Sequence, residues 1–79
     1  MNKYIKWLAT WFANREPNIK LNPDDNYFSA GVIDSLGVIE LIEEMEEAFL
    51  VKFTQDDFQD ERFISINGLV EMIREKINL

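Results

Sequence analysis

Gly31-Val32-Ile33-Asp34-Ser35-Leu36-Gly37-Val38-Ile39-Glu40-Leu41-Ile42-Glu43-Glu44-Met45-Glu46-Glu47-Ala48-Phe49 is the stretch that decides the fold class of this chain. At about 100° per residue, Val38, Ile39, Leu41, Ile42, Met45, Ala48 and Phe49 fall on one broad arc. Glu40, Glu43, Glu44 and Glu47 fall on the opposite arc, with Glu46 at the border. The pattern predicts an amphipathic helix from Ser35 to about Phe49, its apolar arc turned to a core. Leu36 breaks the pattern, because its position lies among Glu40, Glu43 and Glu47 and not on the core arc.

On the N-terminal side, residues 16–33 contain Pro17, Asn18, Asn22, Pro23, Asp24, Asp25 and Gly31, the residue types of a long ordered loop. Tyr27, Phe28, Val32 and Ile33 are its candidate anchors to the core. Before it, Ile5, Leu8 and Phe12 recur at helical spacing, with Ala9, Tyr4 and Trp11 beside them, and predict a helix from about Lys3 to Arg15 that stops ahead of Pro17. Trp7, near the rim of that helix, is expected as a partly buried core residue, with an interface role as the other reading. On the C-terminal side, the polar stretch from Thr54 to Glu61 is compatible with one short helical turn ahead of Phe63 and Ile64. Ile66, Leu69, Val70, Ile73 and Ile77 then share one face of a final helix for which Ser65 is the expected N-cap. The expected architecture is all-α: a four-helix bundle with three main helices and one short one, forming a single domain over residues 1–79.

Composition removes whole classes of activity. With no cysteine and no histidine, the chain has no disulfide framework, no thiolate zinc site, no Ser/His or Cys/His dyad and no imidazole base. Chemistry by its own side chains would have to use carboxylates, Lys or Tyr. The formal net charge of -7 disfavours a nucleic-acid partner, since phosphate backbones reward Lys and Arg. The charge is also segregated: residues 21–61 hold twelve acids and one base, whereas residues 1–20 hold four bases and one acid. Partners with basic patches are expected. The apolar stretches fall short of the roughly 20 residues that cross a bilayer, and the segment from Met1 to Phe12 is interrupted by Lys3 and Lys6, so a cytoplasmic monomer without a transmembrane segment is expected. The acidic clusters Asp24-Asp25 and Asp56-Asp57-Asp60-Glu61 lack the ligand spacing, central Gly and terminal Glu of a calcium loop, and no metal site is expected.

Ser35 is the one side chain whose placement suggests chemistry. A hydroxyl at the start of a helix sits near unpaired backbone N–H groups and the positive end of the helix dipole, a position suited to a phosphodiester. Ser and Asp are also favoured N-caps, and a lone Asp-Ser before a helix is far more often a cap than a modification site. Two features weigh toward function. Like-charged neighbours on the glutamate arc each cost roughly 0.2–0.5 kcal/mol, and Leu36 among them has the character of a docking point.

Asp34-Ser35-Leu36, followed by Glu40-Leu41, Glu46-Glu47 and Phe49, resembles the signature of acyl carrier proteins and related carrier domains. The likeness extends over Phe28-Ser29-Ala30-Gly31 in the first loop and over Ser65 to Leu69. It implies that a phosphopantetheinyl transferase attaches 4'-phosphopantetheine from coenzyme A to Ser35, and that the arm holds an acyl or aminoacyl thioester for a loading ligase and a downstream transferase. By the same resemblance Asp34, Leu36, Glu40, Glu46 and Glu47 are partner contacts, and Asp34 helps bind the transferase's Mg²⁺. Gly31-Val32-Ile33-Asp34 is closer to freestanding D-alanyl, aminoacyl and specialised polyketide carriers than to the fatty-acid carrier, in which an apolar residue often stands where Glu43 does. An unmodified acidic adaptor that binds basic partner surfaces is the competing reading.

Overall fold

The computed structural model describes residues 2–78, so Met1 and Leu79, the first and last residues of the expected domain, lie outside the described residues. Four helices follow one another: α1 (Lys3–Arg15), α2 (Ser35–Phe49), α3 (Gln55–Phe58) and α4 (Ile66–Ile77), with a 3-10 turn (Glu61–Ile64) between the last two. No strand occurs among the described residues. The all-α bundle of three long helices and one short one is as the sequence predicts, with one addition. The 3-10 turn extends the irregular segment and brings Phe63 into the core.

Local chemistry sets the ends of these helices. Asn2 caps α1 by accepting the Tyr4 N–H at 2.7 Å, and Pro17 follows where the Glu16 N–H closes the last turn on the Phe12 carbonyl at 2.9 Å. Thr54 and Asp57 form a reciprocal capping box on α3. Ser65 caps α4 through the Gly68 N–H at 3.0 Å. At the far end of α2 the chain leaves through Leu50, which adopts a left-handed conformation with φ 55°. A residue other than Gly or Asn there costs roughly 1–2 kcal/mol.

Leu8 and Phe12 of α1, Leu41 and Met45 of α2, and Ile66, Leu69, Val70, Met72 and Ile73 of α4 form the core with Phe63 and three residues of the first loop. Two positions expected on the buried arc of α2 lie outside it, since Ile39 is 52% exposed and Ala48 is exposed. The arc is narrower than the wheel implies because α1 and α4 cover only the side centred on Leu41 and Met45. On α4 the reverse occurs. Gly68 and Met72 extend the buried face toward the 3-10 turn, which approaches so closely that a Cβ on Gly68 would overlap the Arg62 carbonyl. Ile77, expected on that face, is 45% exposed in the final turn.

The loop between α1 and α2 is stitched into the bundle, mostly through its backbone. Tyr27 is fully buried and stacks on Phe12 with centroids 5.0 Å apart, and its hydroxyl donates to the Phe63 carbonyl. Burial pushes that hydroxyl well above the ordinary tyrosine range. The Tyr27 N–H donates to the Ile64 carbonyl at 3.0 Å, the Asn67 N–H donates to the Pro23 carbonyl at 2.9 Å, and the Asn67 side chain donates to Asp24 at 2.6 Å. Val32 and Ile33 are buried as expected, whereas Phe28 is partly exposed and leans on Tyr27 from outside. Trp7 is half-buried and meets Phe49 edge-on at 5.0 Å, in line with the core reading.

Candidate functional site

The question of whether Ser35 is a cap is answered by its neighbour. Asp34 has extended backbone angles and its Oδ1 accepts the Gly37 N–H at 2.7 Å, while the Val38 N–H closes on the Asp34 carbonyl at 2.9 Å. Asp34 is therefore the N-cap, and Ser35 is the first helical residue. Its side chain is exposed, and its hydroxyl has no hydrogen-bond partner among the described residues. The Ser35 and Leu36 N–H groups are likewise unpaired within the described residues, as first-turn amides are. A free hydroxyl beside two free amides fits a phosphodiester: the oxygen is accessible, the amides can meet phosphate oxygens, and the helix dipole favours the negative charge.

The loop fixes where that serine stands. Gly31 takes φ 76°, a left-handed turn that glycine makes without strain, and the chain then enters the core at Val32 and Ile33 before emerging at Asp34. The Val32 N–H is bonded to the Tyr27 carbonyl at 3.2 Å, and Tyr27 is tied in turn to Phe63 and Ile64. The position of Ser35 is thus set by buried side chains on one side and by the Asp34 cap on the other.

The glutamates of α2 are not equivalent. Arg15 reaches from α1 to Glu40 at 3.2 Å, and the Trp11 indole N–H donates to Glu44 at 2.9 Å. Arg15 also lies 5.4 Å from the Trp11 ring, so α1 presents a cation and an indole as one unit to that edge of α2. These contacts offset part of the like-charge repulsion expected from sequence, and a lysine at position 40 would face Arg15. On the opposite edge Glu46 is half-buried and accepts the Phe53 N–H at 2.9 Å, fastening the segment that enters α3. Glu43 and Glu47 are exposed and have no partner among the described residues.

At about 100° per residue, Leu36, Ile39, Glu43 and Glu47 therefore share one solvent face. Leu36 is 73% exposed. Of the residues expected from sequence, Ser35, Asp34, Leu36 and Glu47 come together on or beside this face, and Glu40 lies at its border under Arg15. Glu46 lies on the flank beneath Ser35, in a structural bond. The wheel assigns Ile39 to the core, although its position next to Leu36 was the signal for this face, whereas Glu43 lies on the exposed acidic arc beside Leu36 as the sequence predicts.

Four of the six acids in the clusters outside α2 are held by partners, and Asp56 and Glu61 have none among the described residues. Asp24 and Asp25 accept from Asn67 and the Asn22 N–H, and Asp60 pairs with Arg62 at 2.8 Å. Arg62 lies between Asp60 and Glu75, at 2.7 Å from the latter, and its hydrogen bonds hold Asp60 at about 2 and Glu75 below the usual carboxylate range. Lys76 meets Asp57 at 2.6 Å. Burial works against ionisation of Asp57, but the hydrogen bonds from Lys76 and Thr54 outweigh it and hold the carboxyl below its ordinary value. Among the described residues, no three acidic side chains converge as a metal site would require. No helix among them is long and apolar enough to cross a membrane.

Residues 13–73 match the family described as a phosphopantetheine attachment site. The D-alanyl carrier protein of Streptococcus uberis is 42% identical over 55 residues, which is 70% of each chain. That of Streptococcus equi subsp. zooepidemicus is 40% identical over 52 residues, 66% of each chain, and that of Streptococcus pyogenes serotype M1 is 36% identical over the same length. No solved structure matches the chain.

Proposed function

Because the chain belongs to the phosphopantetheine attachment-site family, whose carriers hold cargo and catalyse nothing themselves, we propose that Ser35 is the residue to which its 4'-phosphopantetheine arm is joined. The observation that carries this reading is the division of labour between neighbours: Asp34 takes the cap and leaves the Ser35 hydroxyl exposed and unbonded. Once bound, the arm supplies the thiol on which an acyl or aminoacyl group is held as a thioester. This chain's residues contribute an accessible oxygen, two free amides for the phosphate and a fixed starting point.

The cargo we propose is an aminoacyl group, D-alanyl in the first instance, supported by the names of the relatives and by Glu43 standing at an exposed position of α2. The partners are a phosphopantetheinyl transferase, a ligase that loads the thiol and a transferase that unloads it, each with a basic docking patch. They meet Asp34, Leu36 and Glu47, joined by Ile39 and Glu43. Glu40 and Glu46 serve a partner only by releasing Arg15 and the Phe53 N–H, so their part in recognition is secondary. In this reading residues 1–79 form one carrier domain working in the cytoplasm, where coenzyme A and the loading ligase are at hand.

Incubation with coenzyme A and a broad-specificity transferase, followed by intact mass, tests the assignment. The wild type gains one arm and Ser35→Ala gains none. An alanine variant that is modified, or a folded wild type that is not, refutes the attachment site. Intact mass of protein isolated from its native host reads the cargo directly, and a fatty acyl group there would refute the aminoacyl assignment alone.

A further inference from the structure

One cation stands close to the first turn of α2. Arg15, the last residue of α1, donates through Nη1 to Glu40 at 3.2 Å, a long contact with a carboxylate that is 62% exposed. Its Nε and Nη2 groups find no acceptor among the described residues, so most of the fork-shaped donor set is unused. The guanidinium is nonetheless held in place. Its centre lies 5.4 Å from the Trp11 ring, and Nη2 rests against Gly37, where an added Cβ would come within 2.5 Å of it.

Gly37 is two residues past Ser35, about 5–6 Å away between Cα atoms on a helix. A groove of about 280 Å³ connects the same guanidinium to the segment that leads into Ser35, since it is lined by Arg15, Glu16, Gly31, Val32, Ile33 and Asp34. Asp34 is committed to the Gly37 N–H at 2.7 Å and makes no ion pair with Arg15. Arg15 therefore lies within a side-chain swing of two places for an anion: the Glu40 carboxylate it now meets, and the hydroxyl of Ser35.

We propose that Arg15 binds the phosphate of the arm, leaving Glu40 to do so and thereby uncovering that carboxylate. The inference rests on the reading of Ser35 as the attachment site. A phosphodiester there is tethered beside the guanidinium and offers two oxygens to two parallel N–H groups, whereas Glu40 takes a single long bond on a solvent-exposed side chain. The exchange moves charge along the helix. Arg15 covers the negative charge that the arm brings, and an equal charge is uncovered at Glu40, five residues on and about 7.5 Å along the axis. The bare protein and the arm-bearing protein thus present different acidic faces: Glu40 joins Glu43 and Glu47 only when the arm is in place. A loading ligase with a basic patch meets the wider face, and the transferase that attaches the arm meets the narrower one.

NMR of the bare and arm-bearing protein tests the proposal, with intact mass first establishing that one arm is joined. The phosphorus-31 resonance of the arm shifts in Arg15→Gln, and it stays at the wild-type position in Lys20→Gln and in Glu40→Gln, which leave Arg15 in place. In the wild type the Glu40 carboxylate carbon-13 resonance moves on attachment toward its position in bare Arg15→Gln. In Arg15→Gln itself it does not respond to attachment. Circular dichroism controls for folding, which a single change at this partly exposed position disturbs little. A phosphorus resonance that is the same in arm-bearing wild type and Arg15→Gln, or a Glu40 carboxylate that attachment leaves unmoved in the wild type, overturns the proposal and leaves the attachment site standing. A folded wild type that gains no arm refutes the attachment site, and this inference with it.

Discussion

Reversing charge at Glu43 and at Glu46, three residues apart on α2, should give opposite phenotypes. Glu46 receives the Phe53 N–H at 2.9 Å in a half-buried setting. A hydrogen bond to a charged group contributes about 1.5–3 kcal/mol net, and partial exposure places this one near the lower figure. For a chain of this size 1 kcal/mol moves the melting temperature by about 4–8 °C, so Glu46→Lys should melt about 6–12 °C below the wild type. Glu43 makes no bond among the described residues, and its removal relieves repulsion with Glu40 and Glu47, so Glu43→Lys should lie within about 0.5 kcal/mol of the wild type. Its effect falls on recognition. An exposed ion pair contributes about 0.2–1 kcal/mol, and reversal replaces attraction with repulsion, so a loss of about 1–2 kcal/mol, or roughly 5–30-fold in rate, is expected at low salt. The difference should shrink as salt screens it, since at 0.15 M attraction reaches only about 8 Å. Thermal melts by circular dichroism and arm-attachment kinetics across a salt series measure both. A Glu43→Lys variant modified at the wild-type rate at low salt refutes the docking face, and a Glu46→Lys variant that melts with the wild type refutes the structural role of the Phe53 bond.

Other perturbations follow from the same contacts. Leu36→Ala should slow arm attachment with an unchanged salt slope, because it removes apolar contact and no charge; a changed slope would count against that role. Tyr27→Phe should cost about 1–2 kcal/mol in denaturant titration, since it leaves the buried Phe63 carbonyl without its donor. Gly68→Ala should cost about 3 kcal/mol or more because its Cβ would meet the fixed Arg62 backbone, whereas Gly37→Ala should cost less, about 1–2 kcal/mol, because it meets only side chains, the movable end of Arg15 at 2.5 Å and the buried Ile33 Cγ1 at 2.8 Å. Acid should weaken the α3–α4 region. Asp57 and Asp60 ionise more readily folded than unfolded, so their contribution is present above about pH 4, the unfolded value, and is lost as pH falls through the lower folded values, near 2 for Asp60. Melts between pH 2 and 5 should show this loss, and Lys76→Met should reduce it.

The three long helices were legible because each carries a stripe of apolar residues at 3.6-residue spacing between recognisable stops, and the bounds of α1 and α2 agree with that pattern to the residue. The proposed attachment site, Ser35, was legible as a position but not as a free hydroxyl, because Asp34 and Ser35 are both acceptable caps and only geometry shows which one caps. The exposed arc of the glutamates was legible, with Glu46 at its border, but their partners were not. Glu40 is held by a residue 25 positions away and Glu44 by one 33 positions away, and a wheel records angles within one helix, not what stands opposite. Ile39 and Ala48 fail for the same reason, since their angles suit a core that no neighbouring helix extends to meet. Met72 is the converse, buried on the flank of α4 where the 3-10 turn packs. The conformation of Leu50 left no mark in its residue type, because the sequence offers a leucine where a glycine would have announced the turn.

The backbone ties of the first loop also impose an order in time. Tyr27 and Pro23 find their partners in residues 63 to 67, roughly forty positions downstream, and Val32 is fastened through Tyr27. A chain still emerging from the ribosome, with those downstream residues inside the exit tunnel, has nothing to hold the loop against, and the serine that follows it has no fixed stance. The bundle thereby ties the stance of Ser35 to completed synthesis, since a truncated product would display the same tripeptide in a slack segment.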